Sequence, residues 1–257
     1  MHCVVAVPAR LESSRLPDKV LADVGGKPML QRVLEGCARA SRPAAVVLCT
    51  DSPDLMDRAK AWGFDALLTS PSCESGSERI ASVVDQLVAR GGGGATDTLI
   101  INVQGDQPFI EQEVIDALAA EFSQRSPTPD VLTPVYRMGA EKVHNPNVVK
   151  TLLAADGRAL YFSRSAIPHV RGVDPADWPA HTTYWGHVGI YGYRADVLMR
   201  WNQLSHSSLE QTEKLEQLRL IEAGIQIGTF PVHGESLSVD TAEQLEQARL
   251  MATQLLG

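Results

Sequence analysis

Apolar and polar positions alternate along this chain in blocks that read as strand, helix, strand. Val4, Val5 and Val7 form a short apolar run that breaks at Pro8 into a polar loop, and Met29, Leu30, Val33, Leu34 and Cys37 then recur at helical spacing. A strand over 44–50 ends in Asp51. Ser52 and Pro53 make a helix start with Leu55, Met56, Ala59 and Trp62 on one face. After a brief strand over 66–69, Ile80, Val83, Val84, Leu87 and Val88 predict one amphipathic helix that stops at Gly91. A strand over 98–103 and a helix carrying Val114, Ile115, Leu118 and Phe122 complete a βα alternation typical of a doubly wound sheet.

Beyond the linker at 126–130 the pattern changes. Strand-like pieces over 131–137, 147–154 and 159–163 follow one another, the last two joined by Asp156-Gly157, a strong hairpin signal. This predicts an antiparallel insertion between about 131 and 193, closed by a strand over 187–193. Helices over 195–202 and 208–223, a strand over 225–230 and a final helix follow. For that helix Thr241 is the expected N-cap and Gln244 its capping-box partner. The four glycines at 91–94 follow a helix carboxyl end, where the dipole disfavours anions, so they read as a flexible connector and not as a phosphate loop.

Composition narrows the class. With 257 residues, 44% hydrophobic and 21% charged, the chain suits a soluble α/β protein, and no run of eighteen apolar residues predicts a membrane span. The amino terminus lacks a charged leader and a cleavage site, which points to the cytoplasm. Cysteines 3, 37, 49 and 73 show no CxxC pairing and read as reduced thiols. A net charge of −8 argues against a nucleic-acid surface.

Against that acidic background Arg10, Arg15 and Lys19 stand out, three cations in ten positions interleaved with Ser13 and Ser14 directly after the first strand. A strand, a cationic loop and a helix present anion-binding groups at the carboxyl edge of an α/β sheet, and a polyphosphate is the natural guest. Neither GxxxxGK[ST] nor GxGxxG follows the strand, which disfavours a P-loop and a nicotinamide dehydrogenase. Asp106 follows an apolar strand in a Gly-containing turn, a place suited either to turn formation or to a hard cation such as magnesium. Asp240 precedes the last helix, where the dipole alone favours a carboxylate.

The run PARLESSRLPDKVLADVGGKPML resembles the first motif of the cytidylyltransferases that activate 3-deoxy-manno-octulosonate (Kdo). NVQGDQP, SVDTAEQLE, CESGSERI, ALYFSRSAIP, GHVGIYGYR and EKLEQLRLIEAG resemble further motifs of that family in the same order, over essentially the whole chain. The resemblance implies an α/β fold, a three-layer, Rossmann-like mixed sheet of the nucleotide-diphospho-sugar-transferase type, as one domain over 1–257, with the 131–193 insertion forming a homodimer. It implies conversion of CTP and Kdo to CMP-Kdo and pyrophosphate, for lipopolysaccharide or a related surface glycan. Magnesium would be held by Asp106 and Asp240, with Arg10 and Lys19 assisting catalysis. Pro8, Ala9, Arg10, Arg15, Lys19, Ser75, Arg79 and Gln104 would meet the nucleotide, and Arg164, His187, Tyr191, Glu216 and Gln217 the sugar, Arg164 pairing with its carboxylate.

The chain departs from the family pattern at Cys73 (for His), Gln107 (for Glu), Ser238 (for Gly) and Ala242 (for Pro); the last two are expected to affect loop stiffness more than ligation. Cys73, with His169 after the IP of the Arg164 motif, keeps open an 8-amino relative of Kdo or a sialic-type acid as substrate. Leu16 leans away from the sialic-type branch. A non-catalytic nucleotide-binding module remains the alternative from another class.

Overall fold

The computed structural model describes residues 2–12, 16–234 and 236–256. The first half alternates as its pattern predicts: β1 (His2–Ala9), α1 (Met29–Ala38), β2 (Ala45–Thr50), α2 (Pro53–Ala61), β3 (Asp65–Leu68), α3 (Gly76–Ala81), α4 (Val84–Gly91), β4 (Thr98–Asn102) and α5 (Gln112–Gln124). Then come β5 (Val131–Arg137), β6 (Lys150–Leu153), β7 (Ala159–Ser163), α6 (Trp178–His181), β8 (Trp185–His187), β9 (Tyr191–Arg194), α7 (Ala195–Met199), α8 (Ser208–Glu213), α9 (Gln217–Glu222), β10 (Ile227–Pro231) and α10 (Ala242–Leu256).

Ten strands form one mixed sheet in the order β3-β2-β1-β4-β9-β5-β8-β6-β7, with β10 added beside β5. β1 lies between two parallel neighbours, Val5 opposite Val46 on one side and Ile101 on the other. Its side chains alternate between two cores. Cys3, Val5 and Val7 pack with α1, α2 and α5, whereas Val4 and Ala6 pack with α3, α4, α7 and α9. Burial on both faces explains why the strand is apolar throughout instead of alternating.

Beyond β4 the sheet turns antiparallel, but β10 runs parallel to β5, so the far half is itself mixed. β5 pairs with β8, β8 with β6, β6 with β7, and a bridge from Arg158 to Gly228 returns to β10, closing a ring of strands. The expected single strand over 187–193 is two, because Gly189 at φ +84° breaks the extended run and hands β5 from one neighbour to the other. The helix expected over 80–91 is interrupted at Ser82–Val83, and the one over 208–223 breaks at Lys214, which adopts the left-handed conformation.

A third, smaller core docks α10 through Leu245, Ala248 and Ala252 onto Val24 and Met29 at the entry to α1. The helix starts as its sequence predicts: the Gln244 N–H donates to Thr241 Oγ1 at 3.2 Å, and Gln244 Oε1 accepts from the backbone of Thr241. All four cysteines are free and buried, and burial pushes the thiols of Cys3, Cys37 and Cys49 up to about 12. Among the described residues no helix is long and apolar enough to cross a membrane.

Candidate active site

The carboxyl ends of β1 and β4 open into a cleft of about 350 Å³. Pro8, Ala9 and Arg10 reach it from β1, and Gln104, Gly105 and Asp106 reach it from the loop after β4. Gly105 lets the two loops approach, since a Cβ there would lie 3.0 Å from the Pro8 carbonyl and 3.2 Å from Ala9 Cβ. Lys19 arrives on a one-turn 3₁₀ helix entered through Asp18 at φ 50°, a left-handed conformation that Asp tolerates better than most residues. Ser13, Ser14 and Arg15 lie outside the described residues, and so does the expectation placed on Arg15.

At the centre, Lys19 Nζ donates to Asp106 Oδ2 at 2.7 Å and to Asp240 Oδ1 at 2.9 Å. Burial opposes the lysine's charge, but the carboxylates of Asp106 and then Asp240 overcome it and raise its pKa above the ordinary value. Asp240 is brought here by the docking of α10 and by the Val239 N–H, which donates to the Asp106 carbonyl at 2.9 Å. Ser238 Oγ donates to Asp106 Oδ1 at 3.1 Å. The departure from glycine at 238 therefore touches a proposed ligand directly and not only the stiffness of its loop.

Gln104 donates from Nε2 to Asn102 Oδ1 and packs beneath Gly76, where a Cβ would come within 3.2 Å of its Oε1. Ser75 lines the cleft while its hydroxyl caps α3 by accepting from the Glu78 N–H. Arg79 is buried in the wall, its guanidinium held by Asp51 Oδ2 at 2.9 Å and by Thr69, so its charge is already matched. Glu216 lies at the start of α9, accepting from the Ser77 N–H at 3.3 Å and facing the cleft.

The other expected sugar contacts stand back from this lining. Arg164 spends Nε on the Glu213 carbonyl at 2.8 Å, and its two terminal nitrogens make only long contacts, 3.3 Å to Pro146 O and 3.5 Å to Lys214 O. It is thus partly committed to the backbone. The His187 ring lies between Phe162 and Tyr191, and burial pushes its pKa down to about 3, so it is a neutral ring in the packing behind the cleft. Tyr191 and Gln217 are buried, each with a polar atom, the tyrosine hydroxyl and Gln217 Nε2, that lacks a hydrogen-bond partner. Gln107, the other departure in the Asp106 loop, donates to the Val188 carbonyl at 2.9 Å and ties that loop to the break between β8 and β9.

Sequence reasoning missed the acidic tone of the cleft. Arg10, Lys19 and Arg79 face Glu12, Glu74, Asp106, Glu216 and Asp240. Among the described lining residues carboxylates outnumber cations, and a divalent cation would offset them toward a polyphosphate. Two convergent carboxylates are what magnesium takes from a protein when phosphate and water fill its other positions. Among the described residues no cluster of three or more His, Cys, Asp or Glu is placed to hold a metal, which disfavours an all-protein cage.

A family model described as cytidylyltransferase matches residues 4–227. The 3-deoxy-manno-octulosonate cytidylyltransferase of Porphyromonas gingivalis is 40% identical over 95% of this chain and 94% of its own, and that of Chloroherpeton thalassium is 38% identical over 100% of both. A solved structure of CMP:2-keto-3-deoxy-manno-octonic acid synthetase complexed with CTP is 37% identical, with a TM-score of 0.88 over 99% of this chain and 100% of the other. A glucose-1-phosphate thymidylyltransferase structure from Bacillus anthracis, 13% identical with a TM-score of 0.67 over 97% and 95%, shares the fold alone. Matched from end to end at this identity, the chain belongs to the cytidylyltransferase family.

Proposed function

We propose that this chain joins CMP from CTP to 3-deoxy-manno-octulosonate and releases pyrophosphate, with magnesium as cofactor. The observation that carries the reading is the meeting of Asp106 and Asp240 at one point of a cleft walled by Gln104, Arg10 and Glu216. Full-length relatives bearing that enzyme's name support it. Magnesium bound by the two aspartates would neutralise charge at the α-phosphate and lower the pKa of a coordinated sugar hydroxyl. Arg10 and Lys19 take up charge on the departing pyrophosphate. Gln104, whose amide both donates and accepts, meets the cytosine edge. Glu216 accepts from a sugar hydroxyl. The exposed terminal nitrogens of Arg164 exchange their long carbonyl contacts for the sugar's carboxylate, a shape that a guanidinium matches in bidentate fashion. Positioning and electrostatics suffice, so no covalent intermediate is invoked.

Pyrophosphate release from a panel of nucleotides and acid sugars tests the reading. CTP with Kdo is expected to be the best pair, with UTP far slower. Equal rates with UTP would overturn the role of Gln104, and faster turnover of an 8-amino or sialic-type acid would replace the sugar. Arg164→Ala should raise the KM for the sugar at least tenfold and leave CTP binding unchanged; lost CTP binding with an unchanged sugar KM would reverse the division of the site. We further place the reaction in the cytoplasm, in the supply of a surface glycan, with the 131–193 region joining two copies, which sedimentation of the purified chain would check.

A further inference from the structure

Lys19 occupies the point where the two metal-binding aspartates converge. Its ammonium lies 2.7 Å from Asp106 Oδ2 and 2.9 Å from Asp240 Oδ1, and its side chain is only 13% exposed. Two carboxylates facing one point repel each other unless a cation stands between them. Lys19 is a cation so placed. A divalent ion held by the same oxygens would repel the ammonium from the point between them.

Lysine carries its charge on a flexible four-carbon stem, so Nζ can leave the carboxylates while the 3₁₀ turn behind it stays in place. Asp106 keeps its other supports, Ser238 Oγ on Oδ1 and the Val239 N–H on its carbonyl, whichever cation it faces. Arg10 stands exposed beside the same cleft and marks where an incoming polyphosphate would draw the released ammonium.

We propose that Lys19 is an exchangeable stand-in for the metal: it holds Asp106 and Asp240 in ligating geometry while the site is empty of nucleotide, and it passes to the phosphates when the divalent ion enters. This rests on the reading of those aspartates as metal ligands. Metal and polyphosphate then bind cooperatively, because each removes an obstacle to the other, and the metal alone binds weakly.

Two measurements without CTP or sugar test it, so their failure is distinct from failure of the pyrophosphate assay. The first is Mn²⁺ binding by electron paramagnetic resonance at fixed pH. Lys19→Met should bind Mn²⁺ at least tenfold more tightly than the unsubstituted chain, and adding Asp106→Asn should abolish the gain. Equal or weaker binding by Lys19→Met would overturn the proposal. The second uses the unsubstituted chain and so does not depend on the variant folding. Reductive methylation read by mass spectrometry should find Lys19 slow to react without metal and several-fold faster in saturating Mg²⁺, with exposed Lys60 as an unchanged reference. Saturation with Mg²⁺ that leaves the Lys19 rate unchanged would show that lysine and metal share the site, and the exchange would be refuted.

Discussion

Two lysines in this molecule are placed in opposite company. Lys19, at the cleft, is surrounded by carboxylates that raise its pKa. Lys150, on β6 in the ring of strands, is fully buried, and its ammonium donates to the carbonyls of Asn145 at 2.9 Å, Val148 at 2.7 Å and Arg164. Burial pulls its pKa down to about 8, Glu213 opposing and Arg164 adding. The contrast extends to whole regions. At the head of the parallel strands, Lys19, Asp106 and Asp240 are aimed at one another across loops at the mouth of a cleft. In the antiparallel half, Lys150 and Arg164 are aimed at backbone carbonyls, and Glu213 takes the Ser163 hydroxyl at 2.6 Å and the Arg164 N–H at 2.9 Å. Lys19 is a charge paired with charges at an opening, whereas Lys150 is a charge paired with carbonyls in the interior, where it fixes the path of the chain.

The widest separation between the regions is expected from the aspartates. Asp106→Asn and Asp240→Asn should each raise the barrier by on the order of 3 kcal/mol or more, with little change in stability. Pyrophosphate release in excess magnesium, beside urea denaturation, would show it; near-normal turnover in either variant would remove that residue from the site. Lys150→Met should do the reverse. Three carbonyls lose the ammonium, the Asn145 carbonyl keeping another donor in the Val148 N–H, at a cost of about 2–4 kcal/mol in stability, while turnover per folded molecule holds. A stable but inactive Lys150→Met would erase the distinction.

His187 sharpens the comparison through pH. Its folded pKa of about 3 lies below the ordinary 6.5 because of burial, so between those values the unfolded chain binds a proton that the fold excludes. Stability from this group is intact above 6.5 and falls as pH drops toward 3, by at most about 1.4 kcal/mol per pH unit. Denaturation of the unsubstituted chain and of His187→Asn between pH 7.5 and 4.5 should give a shallower slope for the variant. Equal slopes would mean that the ring is not shielded. The smallest effect belongs to Ser238→Gly, which removes one hydrogen bond to Asp106, worth about 1 kcal/mol. The magnesium concentration for half-maximal rate should rise roughly five-fold, and no change would return Ser238 to a role in the loop alone.

The same comparison explains what could be read in advance. Periodicity announces α1 at Met29, Leu30, Val33, Leu34 and Cys37, all of them buried, because one helix face meets one core. The capping box at Thr241 and Gln244 was legible for a similar reason, since its partners are three residues apart. Asp106 and Asp240 were legible as motif residues, but not their junction through Lys19, which joins positions 221 apart. Lys150 carried no signal. A lysine in a strand reads as a solvated edge, and only the carbonyls gathered round it in three dimensions make it an interior post. The break at Gly189 escaped because Gly192 sits inside β9 without breaking it, so a glycine alone does not mark the place, and the switch of partners along β5 is a property of the sheet.

The docking of α10 bears on how the chain is made. Synthesis delivers β1, Lys19 and Asp106 well before Asp240, which is placed only when Leu245, Ala248 and Ala252 settle against Val24 and Met29. A chain still emerging from the ribosome can order the head of its sheet yet has only one of the two carboxylates that pair with Lys19. The junction of Lys19, Asp106 and Asp240 is therefore among the last features the molecule acquires, completed only when α10 is in place.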